Sequence, residues 1–393
     1  MTAARDHHLF SPGPKRILAL DGGGVRGIVS VAFLERIEAI LRERTGDSDY
    51  RLSSYFDLIG GTSTGAIIAT ALALGRSVAE VRSLYLDLAP KLFKRWRWRL
   101  FGLQSKFDHR PLVEIMRAEI GDRTLGAPDL LTGLAIVAKR FDTASTWVLT
   151  NNPRAKYWSD PPDGRHVGNH AYRLADVVRA STAAPLFFDP QEIAIAPGQP
   201  PGLFVDGAVS PHNNPALQLL MLAGIEAYGF GWRLGADDLL MISVGTGNYP
   251  ERQARAWGRR TPAAALAVKA LSGMIANAGD LVLTMMQWMS TPARRWHIDG
   301  EIGDLGTSSV LGGRPLLTFQ RYDMPLDPDW IATETGAPVD PRAIGRLRHI
   351  DDPRSIAPLH ALAGRIAARQ VSPDHLPASF DPPRPAPTAS APA

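Results

Sequence analysis

Short apolar runs that end in glycine alternate along this chain with stretches whose apolar positions recur every three or four residues. Lys15-Arg16-Ile17-Leu18-Ala19-Leu20 stops at Asp21-Gly22-Gly23-Gly24, the pattern of a buried strand entering a tight turn. From Ile28 the period becomes helical: Val31, Leu34, Ile37 and Leu41 share one face, and Gly46 supplies a stop. Tyr55-Phe56-Asp57-Leu58-Ile59 reads as a second strand, which leads into Gly60-Gly61-Thr62-Ser63-Thr64-Gly65. The nine residues from Ala66 to Leu74 are apolar or small on every side, so the helix they predict must be buried. Further strand-like runs fall at 134–138, 147–149, 203–205 and 239–244, with helical patterns between them. Such alternation predicts an α/β protein with a mostly parallel sheet covered on both faces.

Composition changes the picture mainly by exclusion. The chain has 393 residues, 45% of them hydrophobic, enough for one large core. It has no cysteine, which rules out disulfides, thiolate catalysis and cysteine-ligated zinc. The formal charge of +4 is no nucleic-acid signal by itself, although it would suit an anionic lipid surface if concentrated locally. Residues 1–14 contain no apolar signal-peptide core and read as a loose leader. No stretch reaches the roughly 18 consecutive apolar residues of a membrane span. The expectation is a cytoplasmic protein whose membrane contact is peripheral. After 371 the chain turns to proline, alanine and serine, which predicts a disordered tail over 371–393. Residues 15–370 are left as a single α/β domain.

Gly61-Thr62-Ser63-Thr64-Gly65 is the only Gly-x-Ser-x-Gly match in the chain. Its glycines suit a sharp strand-to-helix turn that lifts a serine oxygen above a sheet, and the following helix turns its N-terminal N–H groups toward the site. A plain Gly/Ser turn is the competing reading. Gly22-x-Gly24-x-x-Gly27 can be read as a dinucleotide fingerprint or as a nest of N–H groups for an oxyanion. The first reading wants an acidic residue at the end of a second strand about 20 positions on. Only Asp47 and Asp49, in an apparent loop, are near that place, so the oxyanion reading fits better. Arg26 would either add a positive charge there or brace the loop.

A serine nucleophile needs a proton acceptor. Of the ten histidines, His7 and His8 lie in the leader, His109 follows a basic stretch and His170 sits in a polar loop. Each reads as a surface residue. A carboxylate is offered instead by Phe204-Val205-Asp206-Gly207-Ala208, just after a short strand.

Asp-Gly-Gly-Gly-x-Arg-Gly at 21–27, Gly-x-Ser-x-Gly at 61–65 and Asp-Gly-Ala at 206–208, in this order, resemble the patatin-like phospholipases. Ala180-Ser181-Thr182-Ala183-Ala184-Pro185, Asn213-Asn214-Pro215 and Ser243-Val244-Gly245-Thr246-Gly247 extend the likeness, the first and last reading mainly as scaffold. The resemblance implies a three-layer α/β/α sandwich and a Ser63–Asp206 dyad without histidine. It also implies an oxyanion hole at Gly22, Gly23 and Gly24 with Arg26 beside it, and acyl transfer through an acyl-enzyme. That scheme needs neither a cofactor nor a metal. It implies a phospholipid or other acyl lipid as substrate. A carboxylesterase of soluble esters with the same dyad is an alternative, as is an effector or toxin switched on by a small activator.

Two further segments stand out. Residues 91–101 interleave five basic residues with four aromatics and two leucines, with Arg95, Trp96, Arg97 and Trp98 at the centre. They read either as a membrane-interface segment or as a solvated surface helix whose tryptophans pack inward. Met285-Met286-Gln287-Trp288-Met289, on a helix predicted from about Ala263, reads as core or as the lining of an acyl channel.

Overall fold

Strand β1 (Lys15–Leu20) is buried along its whole length, and its two faces serve different cores. Leu18 and Leu20 point into one cluster and Ile17 and Ala19 into the other, as the period of two requires. The structure, a computed structural model, describes residues 4–92, 110–249, 263–306, 308 and 310–383. Around β1 the elements run in the order α1 (Ala4–Phe10), β1, α2 (Gly27–Thr45), α3 (Leu52–Tyr55), β2 (Leu58–Thr62), α4 (Thr64–Ala73), α5 (Val78–Leu92) and α6 (Arg110–Ile120). They continue with β3 (Gly133–Arg140), β4 (Ser145–Thr150), α7 (Leu174–Ser181), β5 (Gln191–Ile193), β6 (Gly202–Asp206), α8 (Ala216–Gly224) and β7 (Leu239–Val244). The last are α9 (Ala263–Trp288), β8 (Ser290–Thr291), β9 (Leu317–Tyr322), α10 (Pro328–Thr335), α11 (Pro341–Leu347) and α12 (Ile356–Gln370).

The strands form one sheet in the order β5-β6-β3-β2-β1-β7-β9-β8, with β4 paired to β3. β3, β2, β1, β7, β9 and β8 pair in parallel, while β4, β5 and β6 join antiparallel. One face packs on α2, α4, α7 and α12, and the other on α1, α8 and the C-terminal part of α9. The mostly parallel three-layer α/β/α architecture follows from that double burial.

Three expectations need correction. The second strand begins at Leu58, and Tyr55 closes α3 instead. Asp57 marks the junction: its backbone N–H donates to the Arg16 carbonyl at 2.8 Å, its carboxylate accepts the Arg16 backbone N–H at 2.8 Å and grips the guanidinium, and the parallel register begins with Ile17 opposite Leu58. The leader is not loose from residue 4 on. It forms α1, with Leu9 in the second core, His8 2.9 Å from Asp57 and the Trp232 indole N–H donating to the Leu9 carbonyl. The tail's described part is also packed: Val371, Leu376 and Phe380 are buried, and Arg16 donates to the Phe380 carbonyl at 3.0 Å. Residues 384–393 lie outside the described residues.

Candidate active site

β2 ends in the elbow that the pentapeptide predicts. Ser63 has φ 55° and ψ −122°, a strained conformation for a residue with a side chain. It persists because everything around it is tight. A Cβ on Gly61 would strike the Gly65 carbonyl, and one on Gly65 would strike the Leu20 carbonyl oxygen, so both glycines are required by close approach. The flanking threonines are buried and tied down. Thr62 Oγ1 donates to the His212 carbonyl at 2.6 Å, and Thr64 Oγ1 lies 2.5 Å from the Tyr85 hydroxyl.

The Ser63 hydroxyl donates to Asp206 Oδ2 at 2.6 Å. Asp206 closes β6, where it faces Ala138 across the antiparallel β3 pairing, with β3 lying between it and the elbow strand β2. Its other oxygen accepts the Ala208 N–H at 2.8 Å, which fixes the carboxylate plane. Burial pushes the Asp206 pKa up to about 6, against the lowering effect of the Ser63 hydroxyl, the Ala208 N–H and the Arg179 charge. A carboxylate so raised is a better proton acceptor than an exposed one and is still ionised at neutral pH.

Ser181, read from sequence as scaffold, touches the nucleophile directly. Its hydroxyl accepts the Ser63 backbone N–H at 2.8 Å and donates to the Val137 carbonyl at 2.6 Å, bridging elbow and sheet. Ser181→Ala would leave two buried backbone groups unpaired and is expected to destabilise the fold by about 1–3 kcal/mol, as read by denaturant unfolding. Two residues earlier, the buried Arg179 donates to the Asp189 carbonyl at 2.6 Å and supplies the positive charge facing Asp206.

The glycine turn lies against this pair because β1 and β2 are adjacent and in register, Leu20 opposite Gly61. A Cβ on Gly22 would sit 3.1 Å from Ser63 Cβ. Gly22 itself is removed from the predicted set of oxyanion donors: its N–H donates to the Asn213 carbonyl at 3.1 Å. Its carbonyl accepts from Thr246 Oγ1 at 2.9 Å. The Gly23 and Gly24 N–H groups have no partner among the described residues, so of the three glycines these two have an N–H to offer. Gly24 takes φ +59° and presses on the Ile350 carbonyl, a place closed to any side chain. Arg26 is half-buried and donates to the Gly247 carbonyl at 3.1 Å, so it braces the loop.

Beneath the turn lies a buried ion cluster that no local pattern announces. Arg321 on β9 holds both oxygens of Asp21, at 3.1 and 2.7 Å, and also Asp323 Oδ2 and Ser243 Oγ, each at 2.8 Å. Burial opposes the Arg321 charge, but the two carboxylates outweigh it and hold the pKa above the ordinary arginine value. Asp323 in turn accepts the Gly247 N–H at 2.8 Å. His212 was also missed. It stands on the loop beside the elbow, half-buried, its pKa lowered by burial, and its Nδ1 has no partner among the described residues. A cavity of about 580 Å³ opens between α4, α5 and α6, but neither dyad residue lines it. Arg95, Trp96, Arg97 and Trp98 lie outside the described residues. Met286 and Met289 belong to the second core.

Fold and site together define an α/β protein with a nucleophile elbow and a serine–aspartate pair. The family model described as patatin-like phospholipase matches residues 18–220. The chain belongs to that family. Patatin-T5 of Solanum tuberosum is 30% identical over 250 residues, covering 60% of this chain and 61% of that protein. A cUMP-AMP-activated phospholipase of Escherichia coli is 32% identical over 236 residues, covering 60% and 66%. The chain thus matches under two thirds of the length of these relatives. Among solved structures, human GIVD cytosolic phospholipase A2 aligns with a TM-score of 0.45 at 10% identity, over 96% of this chain and 62% of that one.

Proposed function

We propose that the chain is a lipid acyl hydrolase of the phospholipase A type, acting on carboxylic esters of phospholipids or related acyl lipids at a membrane surface. The observation that carries this reading is the 2.6 Å hydrogen bond from Ser63 to a buried Asp206 with no histidine between them. Asp206 takes the hydroxyl proton as Ser63 Oγ attacks the ester carbonyl. The carbonyl oxygen, now negative, is held by the Gly23 and Gly24 N–H groups. Asp206 returns the proton to the departing alkoxide, leaving an acyl-enzyme. Water, deprotonated by the same carboxylate, then attacks the acyl carbonyl, and Asp206 passes that proton to Ser63 Oγ as the fatty acid leaves, which restores both groups.

The test is labelling with a fluorophosphonate probe, followed by mass analysis of vesicle lipids. Wild-type protein is expected to take up the probe and release fatty acid and lysophospholipid, and folded Ser63→Ala protein to do neither. Labelling without lipid cleavage, with hydrolysis of short soluble esters only, would move the reading to a carboxylesterase. Similarity to an enzyme named as a cUMP-AMP-activated phospholipase favours one elaboration, an effector held quiescent until a small activator binds. Addition of cUMP-AMP to an inactive preparation distinguishes the two forms.

A further inference from the structure

The first turns of α9 break the rule that governs the other long helices of this fold. α2 and α12 bury an apolar face and expose a charged one, whereas residues 266–268 and 270–274 of α9 are exposed one after another. Successive residues on a helix point about 100° apart, so this stretch meets solvent in every direction. Its side chains are nonetheless apolar: Leu266, Val268, Leu271, Met274 and Leu281 are all exposed, Met274 at 69% and Leu281 at 60%. Between 265 and 281 only Lys269 and Asp280 carry charge. The helix is anchored at its other end, where Val282, Leu283 and Met286 enter the second core.

A helix apolar on all sides is stable inside a core or in lipid. A second copy of the chain would cover one face and leave the others wet. A lipid layer covers all of them. We propose that residues 265–281 form a lipid-docking element that enters the surface of an anionic bilayer. Two observations set the lipid type and the place. In sequence the twelve residues 251–262 that precede the helix contain four arginines and one acid, and Arg295 follows it, a cationic bias along the chain that suits acidic headgroups. α9 also packs against the 207–209 turn that directly follows Asp206, so the helix that carries the docking stretch also reaches the segment beside the dyad. Seventeen helical residues extend about 25 Å, short of the roughly 30 Å hydrocarbon core, which fits entry into the bilayer surface. The inference rests on the lipid-hydrolase reading for its purpose but not for its test.

The test uses the full chain carrying Ser63→Ala, so that no lipid is consumed, and sedimentation with vesicles of phosphatidylglycerol and phosphatidylcholine. Leu271→Glu with Met274→Glu is expected to weaken vesicle binding at least tenfold. In the active background the same pair should leave hydrolysis of a short soluble ester unchanged. Because the chain lacks cysteine, an environment-sensitive dye on Met274→Cys reports insertion directly, with Glu43→Cys on α2 as control. A blue shift with vesicles at 274 and none at 43 is the expected pattern. Unchanged vesicle binding in the double variant, or a dye at 274 that ignores vesicles, overturns the inference. So does a variant that turns a dimer into a monomer without losing lipid. A wild-type protein that binds vesicles through α9 yet hydrolyses no ester would sink the hydrolase reading and leave the docking element standing.

Discussion

Asp206→Asn is expected to reduce kcat/KM by about 10⁴-fold and, at pH 8, to make the protein more stable. Asparagine preserves the shape of the site, with its carbonyl oxygen still able to accept the Ala208 N–H. What it lacks is a group that can take the Ser63 proton. The gain in stability follows from the raised pKa, about 6 in the folded protein, against an ordinary value near 4 in the unfolded chain. Between those two values the folded state holds a proton that the unfolded state has released, so stability falls as pH rises from about 4 to about 6. Two pH units correspond to about 3 kcal/mol, and the amide escapes that penalty. Melting temperatures of the two proteins should therefore converge near pH 4 and separate above 6. The wild-type acid limb of kcat/KM should bend near pH 6, because protonated Asp206 cannot act as base. An Asn variant that keeps a tenth or more of the activity would hand the base role to another group.

Why this much of the site is legible in the sequence is a matter of range. The elbow is a local device, with Gly61, Ser63 and Gly65 doing their work within one turn of chain, so a pentapeptide carries the signal. Asp206 is legible for a related reason, since a carboxylate at a strand end followed by Gly-Ala is a local pattern, and the family resemblance gives it the role of base. Ser181 was visible as part of a motif, but its hydrogen bond to the Ser63 N–H depends on α7 meeting the sheet beside Val137, which no spacing encodes. Gly22 shows the opposite error. Its place in the glycine run suggests an oxyanion donor, and only the fold reveals that Asn213, 191 residues away, takes its N–H. The leader and tail were misread because one leucine near the start, and one leucine and one phenylalanine near the end, are weak signals alone. They become anchors when Trp232, Arg44 and Arg16 bind the neighbouring carbonyls.

Arg321→Lys carries the second large expected effect, a loss in kcat of about 10²-fold with KM changed by no more than about threefold. Arg321 lies 300 residues from Asp21 in sequence and beyond the stretch that the family model matches. It makes no contact with the Ser63 or Asp206 side chains among the described residues, so its role is to position. Asp21 is the residue from which the glycine turn departs, and both of its oxygens are taken by the Arg321 guanidinium. The same guanidinium reaches Asp323, which fixes Gly247, whose carbonyl receives Arg26 from the far side of the turn. One planar fork therefore sets both ends of the segment that presents the Gly23 and Gly24 N–H groups. A lysine ammonium keeps the charge but cannot span two carboxylates and Ser243 at once. The fold should survive, since the buried acids remain compensated, whereas Arg321→Met would strand them and destabilise by about 3–5 kcal/mol. An oxyanion hole displaced by even a fraction of an ångström loses transition-state binding more than substrate binding. The affinity of a trifluoromethyl ketone, which forms a tetrahedral oxyanion on the serine, should then fall in step with kcat. A purely structural role would lower the melting temperature and leave that affinity intact. Unchanged kcat and inhibitor affinity in folded Arg321→Lys protein would mean that Asn213 and Thr246 hold the turn unaided.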